Sequence, residues 1–244
     1  MSEPRSSLLA SLRMVGLLLH HCRAVLKAAR RGTLTHPDID ARMRDMGNRF
    51  VEWARLDLTV EGLEHLDPGR PVLFMSNHES QADIPLLFAT VPGTLRMVAK
   101  RELFSVPVFG PALQASGYVA IDRKNREQAI AALKLAEELT RQHISIWMAP
   151  EGTRSSSGEL LPFKKGGFIL ALQAGLPIVP VGISGARDVL PKHALALRLG
   201  QRARVRFGQP IETASLTIAD RDRLMQQVRE AILTLRDDQG VSTT

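Results

Sequence analysis

The sequence predicts an α/β fold: a mostly parallel central sheet flanked by helices, with a basic amphipathic helical segment at its N-terminus. Three observations predict it. From residue 56 onward, short apolar runs closed by turn residues alternate with stretches of helical periodicity, as in a parallel sheet covered on both faces. At 244 residues with 44% hydrophobic side chains, the chain has enough apolar material for one α/β core. Residues 1–31 carry six Lys or Arg against one acid, five of the seven net positive charges. The expected division is therefore a helical segment over 1–54 and an α/β domain over 55–244.

In the first segment, Leu8, Leu12, Val15, Leu19, Cys22 and Leu26 recur at alternating steps of four and three, which draws one apolar stripe along a helix. At about 100° per residue, Arg13, His20, Arg23, Lys27, Arg30 and Arg31 fall in an arc away from it. Leu9 and Leu17 interrupt the separation. Such a helix can lie in a membrane interface or pack on its own domain, and the stripe is the same in both cases. No cleavage site for a secretory leader follows the N-terminal leucines.

Strands are expected at 56–62, 71–76, 95–99, 117–122, 144–150, 177–184 and 203–208. Helices are expected at DIPLLFATV, over 125–142, at FILALQAG and at TIADRDRLMQQVREAILTL. In the second helix, Ile130, Leu133, Ala136 and Leu139 share one face. Two long uncharged stretches, 103–121 and 166–186, are broken by Pro and Gly in the manner of helix–turn–strand units, so no transmembrane helix is expected.

A net charge of +7 points to an anionic partner. Only 5% of residues are aromatic, which speaks against nucleic acid; the one dense basic run, RLGQRARVR, also reads as an edge strand with solvated charges. The single cysteine, Cys22, excludes an internal disulfide and a cysteine-rich metal site, and no metal site is expected. HESQA lacks the second histidine of HExxH, GISGA is not a G-x-S-x-G elbow, and neither GxxxxGK[ST] nor GxGxxG occurs.

Sites in such folds collect at loops beyond the strand ends. There SNHESQAD (76–83) offers His78 and Asp83. Five residues apart on one helix they would point about 140° from each other. They can meet if His78 sits in a loop and Asp83 opens the next helix, and the carboxylate would then fix the imidazole tautomer. In the plainer alternative, Asp83 is an N-cap with Pro85 in the first turn and His78 bonds the loop. A second loop, PEGTRSSSG, holds Arg154, whose forked donors suit phosphate. There Glu151 could pair with Arg154 or bond a substrate hydroxyl. LPFKKGG places Lys164 and Lys165 before a helix. Lys100 and Arg101 end one strand candidate, and IDRKNRE ends another.

Taken together, these blocks resemble the glycerolipid acyltransferase family that contains the bacterial lysophosphatidate acyltransferases. NHESQAD is similar to its NHxxxxD motif, GYVAIDR to its arginine-ended strand, APEGTRS to its FPEGTRS motif and LPIVPVGIS to its proline-bearing strand. The likeness covers about 56–190, with Ala149 where the family has an aromatic residue.

The resemblance implies that His78 is a general base, that Asp83 orients it, and that an acceptor hydroxyl attacks an acyl thioester without a protein nucleophile. It implies that Arg123, Glu151, Gly152, Thr153 and Arg154 hold the glycerol phosphate of the acceptor, with Lys100 a looser candidate. The expected product is phosphatidate from lysophosphatidate. Other acceptors remain open (glycerol 3-phosphate, another lysophospholipid or a lyso-aminolipid), as does a non-catalytic lipid-binding role. No cofactor is expected beyond acyl-CoA or acyl-ACP as co-substrate. The expected partners are that donor, a lysophospholipid and an anionic membrane surface, with peripheral attachment at the cytoplasmic face.

Overall fold

The computed structural model describes residues 6–121, 134, 138, 139 and 141–236. A two-residue strand, β1 (Ser6–Ser7), runs into helix α1 (Leu8–Arg30), whose N-terminus is capped by the Ser7 hydroxyl accepting from the Ala10 amide. Helix α2 (His36–Trp53) opens with a capping box between Thr35 and Asp38, and Pro37 occupies its first turn. There follow β2 (Asp57–Glu61), β3 (Leu73–Ser76), α3 (Asp83–Thr90), β4 (Leu95–Lys100), α4 (Phe109–Ala115), β5 (Val119–Ile121) and β6 (Ser145–Met148). The chain then continues through α5 (Gly166–Ala174), β7 (Ile178–Ser184), α6 (Ala186–Val189), β8 (Leu197–Arg198), β9 (Arg202–Phe207) and α7 (Arg221–Arg236). All seven expected strands are present, and the two uncharged stretches are α4 with β5 and α5 with β7. Most of the helix expected over 125–142 lies outside the described residues.

Seven strands form one sheet in the order β2-β9-β7-β3-β6-β4-β5, parallel except where β9 runs against β7. The run RARVRF is thus not an edge: β9 lies between β2 and β7, with Ala203, Val205 and Phe207 buried and its arginines alternating on the other side. β3 has a parallel neighbour on each side and is buried along its whole length. Its side chains feed two cores in turn, Phe74 into one with Phe50, Leu86 and Val181, and Leu73 and Met75 into another with Phe168, Leu170 and Val228. This fixes the place where the chain leaves β3, and with it the loop bearing His78.

α2 belongs to the same core, through Phe50 and Ala54. It is also pinned to the sheet by a buried ion pair. The guanidinium of Arg96 on β4, fully buried, donates to Asp40 at 2.6 Å and to His36 Nδ1 at 3.1 Å, while Thr94 donates to the other Asp40 oxygen. Removing Asp40 would strand the fully buried guanidinium away from water at a cost of about 3–5 kcal/mol.

The stripe on α1 divides. Cys22 and Val25 are buried against Ala112 of α4, with Leu18 and Leu26 beside them, while Ala10 and Met14 join the main core. The packing face therefore centres on Ala10, Met14, Cys22 and Val25. The opposite face is exposed and changes character along its length: Leu8, Leu9, Leu12 and Val15 come first, then Arg23, Lys27 and Arg30. Except for exposed Arg13, the cations follow the exposed apolar residues along the helix. By length and composition, α1 is apolar enough to cross a bilayer.

Candidate active site

His78 leaves the end of β3 and Asp83 is the first residue of α3. The short loop between them turns the two side chains together, so that His78 Nδ1 lies 2.7 Å from Asp83 Oδ2. The same oxygen accepts from the amides of Glu79 at 2.9 Å and Ser80 at 3.0 Å. Asp83 is not the helix cap, a place taken by Ala82 without a side-chain bond; its carboxylate, 1% exposed, is held by two amides of the preceding loop and in turn holds the ring. With Nδ1–H donating to Asp83, Nε2 is left unprotonated and able to take a proton. The ring also stands edge-on to Trp147, with centroids 5.7 Å apart.

The base of the loop is clamped from β7. Asn77 donates to the Ile183 carbonyl at 2.8 Å and accepts from the Ile183 amide at 2.9 Å, a side chain doing what a paired strand would do. Ser76 receives the Trp147 indole N–H at 2.9 Å. None of these three anchors is evident from spacing, because their partners lie far along the chain.

The 149–155 loop packs directly on the first. Glu151, 2% exposed, accepts from the His78 amide through one oxygen and from the Leu161 amide through the other, both at 2.8 Å. Burial pushes its carboxyl above the ordinary range, partly offset by those two amides. The Ser155 amide donates to the His78 carbonyl at 2.8 Å. Gly152 is buried at φ +75°, where a side chain would be strained. Glu151 was expected to hold the acceptor or pair with Arg154. Both of its oxygens are instead committed to the backbone, and it braces His78.

The remaining expected residues divide. Thr153 is exposed and Arg154 half-buried, on the loop that Glu151 and Ser155 anchor to the His78 backbone. Lys100 ends β4, separated from β3 by β6, and pairs with Glu102 at 2.9 Å in the open. Arg123 lies outside the described residues. The sequence reading missed Glu79, which bonds Asn77 and sits 3.5 Å from Arg236 at the end of α7. Burial pushes the Glu79 carboxyl up in spite of that arginine. Cys22 is buried against α4, where burial pushes its thiol up as well, the opposite of an activated nucleophile.

The chain is similar to known proteins in sequence and in fold. Residues 57–184 match the family model described as Acyltransferase. The chain is 38% identical over 177 residues to 1-acyl-sn-glycerol-3-phosphate acyltransferase alpha of Homo sapiens, an alignment covering 72% of this chain and 62% of that protein. It is 37% identical over 191 residues to the 1-acyl-sn-glycerol-3-phosphate acyltransferase of Saccharomyces cerevisiae, covering 77% and 62%. The chain thus spans about 62% of the length of these relatives. The crystal structure of the 1-acyl-sn-glycerophosphate acyltransferase PlsC from Thermotoga maritima superposes with a TM-score of 0.71 at 24% identity. It covers 95% of this chain and 100% of that one, which shows a shared fold.

Proposed function

The chain belongs to the acyltransferase family, and from that premise we propose that it transfers a fatty acyl group from an acyl thioester to the free hydroxyl of lysophosphatidate, giving phosphatidate. The observation that carries this reading is the His78–Asp83 pair, whose backbone is bonded to the loop that holds Arg154. In the reaction, Nε2 takes the proton of the acceptor hydroxyl while the oxygen forms a bond to the thioester carbonyl carbon. The carbonyl π electrons move onto oxygen. When they return, the carbon–sulfur bond breaks, and the imidazolium gives its proton to the departing thiolate. Asp83 steadies the imidazolium between the two transfers. Among the described residues no hydroxyl or thiol is bonded to His78 in the place of a nucleophile, which favours direct transfer over an acyl-enzyme.

Arg154, with Thr153, suits the acceptor phosphate by its forked donors, and Arg123 and Lys100 are proposed to join it. No cofactor is needed, because the thioester of coenzyme A or acyl carrier protein enters as co-substrate. The exposed leucines and cations of α1 favour attachment to an anionic bilayer, peripheral and at the cytoplasmic face.

Purified protein, given lysophosphatidate and either thioester beside His78→Ala, should form phosphatidate by mass spectrometry only in the wild type. Thioester loss without phosphatidate would redirect the reading to another acceptor. No turnover with either donor would overturn it.

A further inference from the structure

We propose that the segment 190–197 is a second bilayer-inserting element, forming one lipid-facing edge with the first three turns of α1 and bringing that edge to the catalytic loop. The proposal rests on the reading of α1 as membrane-facing and adds a surface that no motif marks.

Leu195 is 82% exposed, more than any other large hydrophobic residue among those described. Its position is set from both ends of the segment. Upstream, the Ser80 hydroxyl, in the loop between His78 and Asp83, donates to the Leu190 carbonyl at 2.7 Å. Downstream, the Leu197 amide donates to Ser11 Oγ on α1 at 3.0 Å, and β8 pairs with β1 so that Leu197 faces Ser7. The segment is thus a strap from the catalytic loop to the start of α1. Two residues of chain reach at most about 7 Å, so Leu195 stands beside the turn that exposes Leu8 and Leu12.

The composition of this edge selects lipid. Neither α1 nor residues 191–198 contain a single Asp or Glu, while Lys192, Arg198 and Arg13 flank the exposed leucines. Exposed apolar side chains on acid-free, cation-bearing segments suit the acyl boundary of an anionic bilayer. The strap also touches the second site loop, where Lys192 Nζ donates to the Arg154 carbonyl at 3.4 Å. An acceptor whose acyl tail stays in the bilayer would therefore meet Arg154 and His78 from this side.

The test places a polarity-sensitive fluorophore on Leu195→Cys in a Cys22→Ala background and adds phosphatidylglycerol-containing vesicles. Emission should shift to the blue and be quenched by spin-labelled lipid. Unshifted emission while the protein floats with the vesicles would overturn the strap's role and leave α1's. Failure to float would overturn both. In parallel, Leu195→Asp should lower turnover of long-chain lysophosphatidate in vesicles about tenfold, and leave turnover of a water-soluble short-chain analogue unchanged. Equal loss on both substrates would make the strap a support of the site and overturn the proposal. A wild type that turns over neither substrate yet shows the blue shift would overturn the activity and support the strap.

Discussion

Glu151 reaches His78 through the backbone: its carboxylate accepts the His78 amide at 2.8 Å and leaves the imidazole to Asp83. Glu151→Gln must then turn an amide N–H₂ toward either the His78 or the Leu161 amide, setting donor against donor. The expected loss is about 1–3 kcal/mol of stability, with kcat reduced and KM little changed. Steady-state kinetics separate this positioning role from acceptor binding, in which KM would rise and kcat persist.

Asp83→Asn keeps an oxygen for the ring and the two loop amides but removes the charge that steadies the imidazolium. The thermal midpoint should move little while kcat falls roughly 10²- to 10⁴-fold. Because the pair acts as one unit, Asp83→Asn combined with His78→Ala should be no worse than His78→Ala alone. Additive losses would show that the two residues work independently.

The raised carboxyl of Glu79 has a definite sign in the pH dependence of stability. Its folded-state value lies above the ordinary 4.5, so the folded protein binds the proton more tightly than the unfolded chain. The stability it contributes is complete below that ordinary value and is lost as pH rises through the folded value. Glu79→Gln should flatten this part of a urea-denaturation profile across the mildly acidic range. Superimposable profiles for variant and wild type would contradict the assignment.

Gly47 on α2 lies close against the backbone of α3. A Cβ there would meet the backbone of Pro85 and Ala89. Gly47→Ala should cost about 1–3 kcal/mol by overpacking, read as a lowered thermal midpoint. Since α3 begins at Asp83, activity should fall along with stability.

Leu12→Asp together with Leu19→Asp puts one charge at an exposed position of α1 and a second at half-buried Leu19. In flotation with anionic vesicles, the wild type should rise with the lipid and the double variant should stay behind. Co-flotation of the variant would remove α1 from the docking surface.

The strands were legible because each is a short apolar run between turn residues, and a strand buried on both sides leaves that mark wherever it sits in a sheet. The order was not legible. Nothing in RARVRF says that β9 enters between β2 and β7 and runs against β7. Likewise, the apolar stripe on α1 is real, but its division into an exposed and a packed half depends on α4, which touches only Cys22, Val25 and their neighbours. At the site, the short loop between a strand and a helix only permitted His78 and Asp83 to meet, and it was the resemblance of NHESQAD to the NHxxxxD motif that paired them in advance. The brace by Glu151 could not be foreseen, since backbone amides carry no residue identity. Asn77 meets Ile183 and Glu79 meets Arg236 only after the sheet and α7 are in place.

The antiparallel entry of β9 also governs how the chain is made. β2 sits at the sheet's flank and pairs only with β9, Asp57 opposite Arg202 and Glu61 opposite Arg206. On a ribosome, β2 emerges early and its partner comes after nearly all the other strands. Throughout that interval both edges of the nascent β2 offer bare amides and carbonyls to any strand nearby. A newly synthesised chain is therefore most vulnerable to adding itself to a neighbour just before its last strand arrives, and that strand covers one of the two bare edges of β2 while joining it to β7.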